Sequence, residues 1–422
     1  MNKKIIFILA AIIVVAGGTT LYYFRNQEPT PEPTPVAEDK EATPAGINAA
    51  ISANNQFALD LYFELKESEG NIFFSPYSIS TALAMAYEGA RGKTADEMQS
   101  VFRFPTNGNL RKSAFAAIHN QLNKPDAKYK LSIANALWAQ NDYKFLDEYL
   151  TTLQQYYAGK AANVDFKNST EEVRKTINKW VEDKTNNKIK DLFPQGSLDN
   201  MTRLVLTNAI YFKGTWVKQF EKSQTRDEDF RVSSVNTIKV PMMRRTDKNA
   251  KFNYMETDNL QILEMPYEGE KLSMIVLLPK NDNLSSLENS LFLDKINDWK
   301  NKLWEQRVDV FMPKFTFDTK YFMNETLARM GMPTAFTRDS ANFSGMDGTQ
   351  NLFIQKVIHQ AFVDVNEEGT EAAAATGVSM GITSVGPTQI PVFRADHPFI
   401  FVIQDRENGN ILFLGRVANP SK

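Results

Sequence analysis

The sequence predicts an α+β fold built as one large domain, and three observations lead to this prediction. Segments with the apolar spacing of helices are mixed irregularly with long strand-like runs, unlike the regular alternation of a βαβ protein. Composition is even from Ile47 onward, and no second linker-like segment interrupts the 422-residue chain. Hydrophobic residues make up 42% of the sequence, which is ordinary for a soluble globular protein with a large core.

The first 46 residues differ from the rest of the chain. Two lysines precede an apolar run from Ile5 to Phe24, so residues 1–24 fit either a cleaved signal peptide or a retained membrane anchor. Residues 25–46 are rich in Pro, Glu and Thr, which predicts a disordered linker. The globular domain is then residues 47–422, and we expect it to be exported, either extracellular or tethered at the cell surface through residues 5–24.

The predicted elements follow from local periodicity. Apolar residues at helical spacing indicate three helices, over residues 47–68, 78–87 and 169–189, the last with a capping-box start at Ser169 or Thr170. Runs rich in β-branched and aromatic residues indicate strands: RLVLTNAIYFKG (203–214), LSMIVLLP (272–279), RVDVFMPKFTF (307–317), KVIHQAFVDV (356–365) and HPFIFVIQD (397–405).

Charge and residue counts exclude several functional classes. The 48 basic and 50 acidic residues give a net charge of −2, so no nucleic-acid partner is indicated. The chain has no cysteine, which excludes disulfides, thiolate metal sites and a cysteine nucleophile. With only three histidines, we expect no metal site. We also predict no cofactor.

The motif Gly377-Val378-Ser379-Met380-Gly381 matches the G-x-S-x-G pattern of hydrolases. Such a nucleophile requires a strand before the serine and a helix after it. A run of alanines precedes this motif and two prolines follow it, so the context is wrong. A hydrolase that uses Ser379 remains an alternative, without support from the surrounding sequence.

His359 has a structural interpretation. Alternation along the strand 356–365 places it on the same face as Val357 and Ala361, among apolar side chains. We therefore predict a buried, hydrogen-bonded core histidine with no catalytic role.

The segment from Gly369 to Ser384 is composed of small residues. Gly369 permits a sharp change of backbone direction. In an extended chain, Thr370, Ala372, Ala374 and Thr376 would face one side, and none of them is charged, bulky or proline. This composition suits a segment that can be an exposed loop in one state and a buried strand in another.

Six further motifs lie between Ile47 and Pro420: NIFFSPYSISTALAMAYEGARGKTADEM (71–98), LTNAIYFKGTWVKQF (206–220), VPMM (240–243), PKF (313–315), VDVNEEGTEAAAAT (363–376) and FRADHPFIFVI (393–403). In this order and spacing they resemble the serpin family, and the chain looks like a prokaryotic-type secreted or membrane-anchored member. The resemblance implies three β-sheets, about eight or nine helices, an exposed reactive-centre loop and, we expect, a monomer.

The resemblance also implies a mechanism. A target protease attacks the loop and forms an acyl-enzyme, and the cleaved loop then inserts into the central sheet as an extra strand. Deacylation stalls because the protease loses its catalytic geometry, so the protein is an inhibitor rather than an enzyme. The active fold is expected to be a kinetic trap.

Site residues carried over from the family fall into three groups. The hinge of the loop comprises Glu367, Gly369, Thr370, Glu371, Ala372, Ala373, Ala374 and Ala375. Glu367 and Lys314 match an ion pair at the top of the sheet, beside Trp216. Below them, a polar network under the sheet strands comprises Ser75, Ser78, Asn208 and His359.

The scissile bond is predicted at Thr383-Ser384, with Ile382 as an alternative position. No lysine or arginine lies between Gly369 and Gln389, which argues against a trypsin-like target and favours an elastase-like or subtilisin-like serine protease. The small hinge favours inhibition, since an inserted charged or bulky residue would be costly. The alternative in this family is a non-inhibitory binding or chaperone protein.

Overall fold

Ten α-helices and seventeen strands occur in the part of the chain that a computed structural model describes, residues 36–124, 127–280, 283–370 and 390–422. The helices are α1 (Pro44–Leu65), α2 (Pro76–Gly89), α3 (Gly92–Phe102), α4 (Gly108–Leu122), α5 (Asp147–Tyr157), α6 (Phe166–Lys184), α7 (Leu284–Glu288), α8 (Leu293–Asn301), α9 (Asn324–Arg329) and α10 (Ser344–Asp347). Residues 36–422 form one compact unit.

The strands form three sheets, which confirms the predicted α+β architecture. In chain order the strands are β1 (Ile72–Phe74), β2 (Tyr129–Gln140), β3 (Lys160–Val164), β4 (Leu204–Thr215), β5 (Arg226–Ser233), β6 (Asn236–Arg245), β7 (Lys251–Glu256), β8 (Leu260–Pro266), β9 (Leu272–Pro279), β10 (Trp304–Arg307), β11 (Asp309–Pro313), β12 (Phe315–Phe322), β13 (Lys356–Val365), β14 (Gly369–Thr370), β15 (Val392–Arg394), β16 (Phe399–Asp405) and β17 (Ile411–Val417). The three strand orders are β1-β17-β16-β9-β8-β7-β10, β15-β11-β6-β5 and β12-β13-β14-β4-β2-β3.

Local capping explains where the first helices begin. Thr43 accepts a hydrogen bond from the Gly46 amide, and Pro44 occupies the first turn of α1. Ser75 caps α2 in the same way through the Ser78 amide, ahead of Pro76. Each helix therefore starts two or three residues before the start predicted from its apolar spacing.

Helix α6 also starts earlier than predicted. Asp165 caps it by accepting from the Asn168 amide, so the helix begins at Phe166 rather than at Ser169 or Thr170. Ser169 has a non-helical backbone (φ −137°, ψ 37°), which puts a kink where the capping box was expected. The apolar spacing therefore predicted only the part of the helix from Ser169 onward and did not predict its first turn.

Residues 36–43, here called the N-terminal segment, pack on the domain. Ala37 is only 4% exposed, and its backbone N–H and C=O both bond to the side chain of Asn120 on α4, at 2.8 and 2.7 Å. The Glu38 amide donates to the carbonyl oxygen of Gln155 on α5. The predicted disorder of residues 25–46 is therefore wrong for 36–46; residues 25–35 lie outside the described residues.

After Arg307, which ends β10, the predicted strand over residues 307–317 divides into two strands in two different sheets. Strand β11 belongs to the four-stranded sheet and β12 to the six-stranded sheet, and Lys314 lies between them. The Lys314 amide bonds to the Pro241 carbonyl at the crossing point. A continuous alternating pattern does not reveal such a change of sheet.

The central strands of the six-stranded sheet, β2, β4 and β13, are buried on both faces. One face packs on α2, which contacts both β2 and β4. The other face packs on α6 through a cluster that includes Trp138, Ile177 and Ala209. Among the described helices, none has the length and apolar character needed to cross a membrane; residues 5–24, to which the anchor prediction refers, lie outside them.

Candidate functional site

The centre of the six-stranded sheet contains a seam between β13 and β4. These strands pair directly and in parallel from Lys356 opposite Val205 to Phe362 opposite Tyr211. Beyond that point they separate, and the short strand β14 lies between them. Gly369 faces Thr215, and Thr370 faces Gly214 on one side and Val365 on the other. The first hinge residues therefore already occupy the top of the seam.

Gly369 is required here by close approach. Its φ is not positive, so this position does not use the access of glycine to the left-handed region. A β-carbon at position 369 would overlap the carbonyl oxygen of Gly214 and lie 2.8 Å from the Thr215 Cα. Any other residue would push β14 away from β4.

Thr370 is 1% exposed and is held by Tyr267. The Tyr267 hydroxyl lies 2.7 Å from Thr370 Oγ1. The phenol ring stacks on Trp216, with a centroid distance of 4.4 Å and an interplanar angle of 17°. Burial raises the pKa of Tyr267, which is consequently a neutral hydrogen-bonding group.

The predicted ion pair at the top of the sheet is present. Lys314 Nζ lies 2.9 Å from Glu367 Oε2, and the Thr225 hydroxyl donates to Glu367 Oε1 at 2.7 Å. Burial alone would raise the pKa of Glu367, but these two bonds outweigh it and hold the pKa below its ordinary value. Glu367 is therefore a carboxylate at neutral pH.

Trp216 holds the chain between β13 and β14. Its backbone amide donates to Glu368 O at 2.8 Å, and its indole Nε1 donates to Asn366 O at 3.1 Å. The Phe220 amide donates to Glu367 O, and the Lys222 ammonium pairs with the Glu368 carboxylate. The three consecutive residues Asn366, Glu367 and Glu368 thus each have a fixed partner.

Lower in the sheet, the four polar residues predicted as a network lie together. Asn208 on β4 faces His359 on β13, and its amide nitrogen donates to Ser78 Oγ at 2.6 Å. His359 Nδ1 bonds to Asn208 Oδ1, and Nε2 accepts the Ser75 amide at 3.2 Å. Because Nε2 is an acceptor, the ring proton is on Nδ1. The network ties both sides of the seam to the N-terminus of α2.

The predicted burial of His359 is confirmed, since it has no exposed surface. Burial lowers its pKa to about 3, so the ring is neutral at physiological pH. A second proton on Nε2 would also face the Ser75 N–H donor and remove that hydrogen bond.

Two residues of this region were missed by the sequence analysis. Asn135 on β2 faces Asn208 and accepts its amide, which extends the polar row across a third strand. An asparagine within the apolar run LSIANALWAQ was a usable signal, because buried polar groups need partners. Tyr267 gave no such signal, since a tyrosine at the end of a strand is ordinary.

The remaining site predictions fall on residues outside the described part of the chain. These are the hinge residues Glu371, Ala372, Ala373, Ala374 and Ala375, the scissile-bond candidates Ile382, Thr383 and Ser384, and Ser379 of the hydrolase-like motif.

Two features define the class of this protein: the three-sheet fold, and the short strand β14 between β13 and β4. Comparison with known proteins gives the same class. The family model for "Serpin (serine protease inhibitor)" matches residues 52–420, so the chain belongs to the serpin family and is a protease inhibitor by class, not an enzyme.

Its relatives span distant organisms. An uncharacterized serpin-like protein of Thermococcus kodakarensis is 44% identical over 372 residues, covering 88% of this chain and 85% of that protein. The leukocyte elastase inhibitor of Homo sapiens is 43% identical over 378 residues, covering 87% of this chain and 99% of the inhibitor. The crystal structure of uncleaved ovalbumin aligns with a TM-score of 0.79 at 33% identity, covering 89% of this chain and all of that one.

Proposed function

We propose that this protein is a suicide-substrate inhibitor of elastase-like or subtilisin-like serine proteases. The observation that carries the proposal is the pairing of Gly369 and Thr370 between β13 and β4. A strand that already begins between two parallel neighbours has only one way to extend, which is further down the seam. The similarity to leukocyte elastase inhibitors supports the choice of target class.

The register of β14 predicts the partners of the inserted loop. Continuing both antiparallel ladders places residue 371 between Lys213 and Asp364, and residue 376 between Asn208 and His359. Directly paired residues point to the same face of a sheet. The even-numbered residues from Thr370 to Thr376 therefore face α2, and Glu371 faces the opposite side.

The same register sets the length of the inserted strand. Strands β4 and β13 extend down to Leu204 and Lys356, which offers partners for inserted residues as far as about Met380. A cut at Thr383-Ser384 leaves a short tail beyond the last pair, and the acylated protease would be carried on that tail. A chymotrypsin-like protease could instead cut after Met380, and such a cut would leave no tail.

Insertion has to open the polar row at the seam. The hydrogen bond between Asn208 and His359 joins the strands that must part, and an inserted Thr376 would lie between them. A threonine hydroxyl both donates and accepts, so it can replace the lost bond on each side. The network can in this way be satisfied before and after insertion.

The test is incubation of the full chain with pancreatic elastase and with subtilisin, followed by denaturing electrophoresis and mass spectrometry. We expect a covalent complex that survives SDS, and a released peptide that begins at Ser384 and ends at Lys422. Clean cleavage without a complex would contradict inhibition and support the binding-protein alternative. Ester hydrolysis that is lost in Ser379→Ala would support the hydrolase alternative.

We also propose that the protein acts outside the cytoplasm, because residues 1–24 combine basic charge with a long apolar run. Fractionation of expressing cells followed by alkaline carbonate extraction distinguishes the two forms. A cleaved signal gives a soluble exported protein that lacks residues 1–24, whereas a retained anchor keeps the intact chain in the membrane pellet. Recovery from the cytoplasm would contradict export in either form.

A further inference from the structure

Tyr267 lies at the top of the seam, directly after β8. It forms an isolated bridge with Trp216, and its side chain is fully buried. Among the residues that the structure describes, its hydroxyl has one hydrogen-bond partner, Thr370 Oγ1 at 2.7 Å. Tyr267 is thus the side chain that, from the interior, holds Thr370, the first residue of β14 that is paired with both neighbouring strands.

The position of this hydroxyl is fixed by the packing of its ring. Trp216 stacks on one face, and Phe212 packs edge-on with a centroid distance of 5.0 Å. The Tyr267 amide donates to Leu272 O, which anchors the backbone. A β-carbon at Gly214 would lie 2.8 Å from the Tyr267 ring, so the glycine on β4 is what lets the phenol reach the seam.

We propose that Tyr267 is a positioning residue for loop insertion, whose hydroxyl holds Thr370 at the top of the seam and thereby fixes the start and the register of the inserted strand. This inference rests on the proposed function. A slip of one residue would exchange the two faces and turn Glu371 toward α2. A slip of two residues would take Thr376 away from Asn208 and His359. The buried hydrogen bond between Tyr267 and Thr370 prevents both of these register slips.

The same bond affects the rate of insertion. Forming the first residue pair of a new strand costs backbone conformational entropy before further contacts can offset that cost. With Thr370 already paired, this step is complete before the protease arrives. Without the hydroxyl, the first pair must form during the interval in which the acyl-enzyme can hydrolyse, so a larger share of the inhibitor is turned over as substrate.

The first test measures the bond in the intact, full-length protein without any protease. Hydrogen exchange of a peptide that contains Gly369 and Thr370 is followed in wild type, in Tyr267→Phe and in the control Tyr254→Phe. Tyr254 is also a buried tyrosine, but its hydroxyl bonds to Gln261 and Glu256. We expect exchange about five- to tenfold faster in Tyr267→Phe only, from loss of one hydrogen bond. Unchanged exchange in Tyr267→Phe would overturn the proposed hold on Thr370.

The second test is a double-mutant cycle on complex formation with elastase. Tyr267→Phe and Thr370→Val should each lower the rate of complex formation about three- to tenfold and raise the number of inhibitors consumed per protease. The double variant should be no worse than either single variant, and Thr370→Ser, which keeps the hydroxyl, should resemble wild type. Additive effects, or no effect of Tyr267→Phe, would overturn the positioning role.

The two tests separate this inference from the proposed function. A wild-type chain that is cleaved cleanly and forms no complex would overturn the inhibitory function and the positioning role together. The exchange result would still decide whether Tyr267 holds the hinge.

Discussion

At the scale of single residues, His359 is under the strongest constraint in the polar row. Each ring nitrogen has one partner, Ser75 N–H on one side and Asn208 Oδ1 on the other, and these partners accommodate only the neutral ring. Its pKa of about 3 in the fold, against 6.5 for an unperturbed histidine, results from burial. The consequence is a pH dependence of stability.

Between pH 6.5 and 3 the unfolded chain binds a proton at His359 that the fold does not. The stabilisation is therefore complete above pH 6.5 and is lost progressively as the pH falls toward 3. We expect this residue to lower the free energy of unfolding by about 2 kcal/mol between pH 7 and pH 5. Comparison with His359→Gln, which cannot titrate, isolates the contribution in urea unfolding. Parallel pH profiles for the two proteins would refute the prediction.

At the scale of elements, the decisive feature is β14, a strand of two residues that is paired on both sides. Thr370 faces the interior beside Tyr267. In the proposed inserted strand, the register of β14 would put position 371 on the opposite side of the sheet.

This assignment predicts different outcomes for two neighbouring arginine substitutions. Thr370→Arg would place a guanidinium in the core, at a cost of several kcal/mol, so insertion should fail and the inhibitor should become a substrate. Glu371→Arg is the matched control, because in the proposed inserted strand its side chain would lie on the outward face, opposite Asp364. Titration of elastase activity against each variant measures the number of inhibitors consumed. Equal behaviour of the two variants would show that the register is wrong.

The N-terminal segment is a second element whose role follows from its contacts. It joins the ends of α4 and α5 through Asn120 and the Gln155 carbonyl, and this carbonyl is one of the four left unbonded at the helix end. The segment lies before residue 52, where the match to the family model begins.

We expect Asn120→Ala to release this segment, because the substitution removes both bonds to Ala37. Loss of about 1 kcal/mol should speed tryptic cleavage after Lys40 about fivefold. Gln121→Ala is the control, since Gln121 lies on the same turn but bonds to Asp405 of β16. Cleavage at the same rate in both variants would indicate that the segment is held by other contacts.

At the scale of the whole molecule, β13 and β4 pair directly below Thr370. The proposed inserted strand would separate them and lie between them. About ten further residue pairs can form there, each backbone hydrogen bond contributing about 1 kcal/mol net. Under the proposed mechanism, the intact fold is a kinetic trap whose cleaved form is the more stable one.

Cleavage within the loop should therefore raise the melting temperature by at least about 10 °C, because unfolding must then also remove the inserted strand. Calorimetry of intact and elastase-nicked protein measures this difference. The Thr370→Arg variant, nicked in the same way, should gain much less. A nicked wild-type protein that melts at the temperature of the intact one would exclude insertion.

The sequence alone determined the fold class, the burial of His359 and the family motifs. These properties are local or periodic: alternation places His359 on an apolar face, and small residues after Gly369 permit a strand. Helix starts were missed where a capping side chain, such as Thr43 or Asp165, lay outside the apolar pattern.

Only the tertiary structure decided which residues meet across the seam. Asn135 and Tyr267 lie far in sequence from the residues they bind, and nothing in their own segments specifies those partners. The change of sheet at Lys314 and the requirement for glycine at position 369 likewise depend on strands brought from elsewhere in the chain. The physical reason is that periodicity sets which face of an element is buried, whereas the register between distant strands sets what that face contacts.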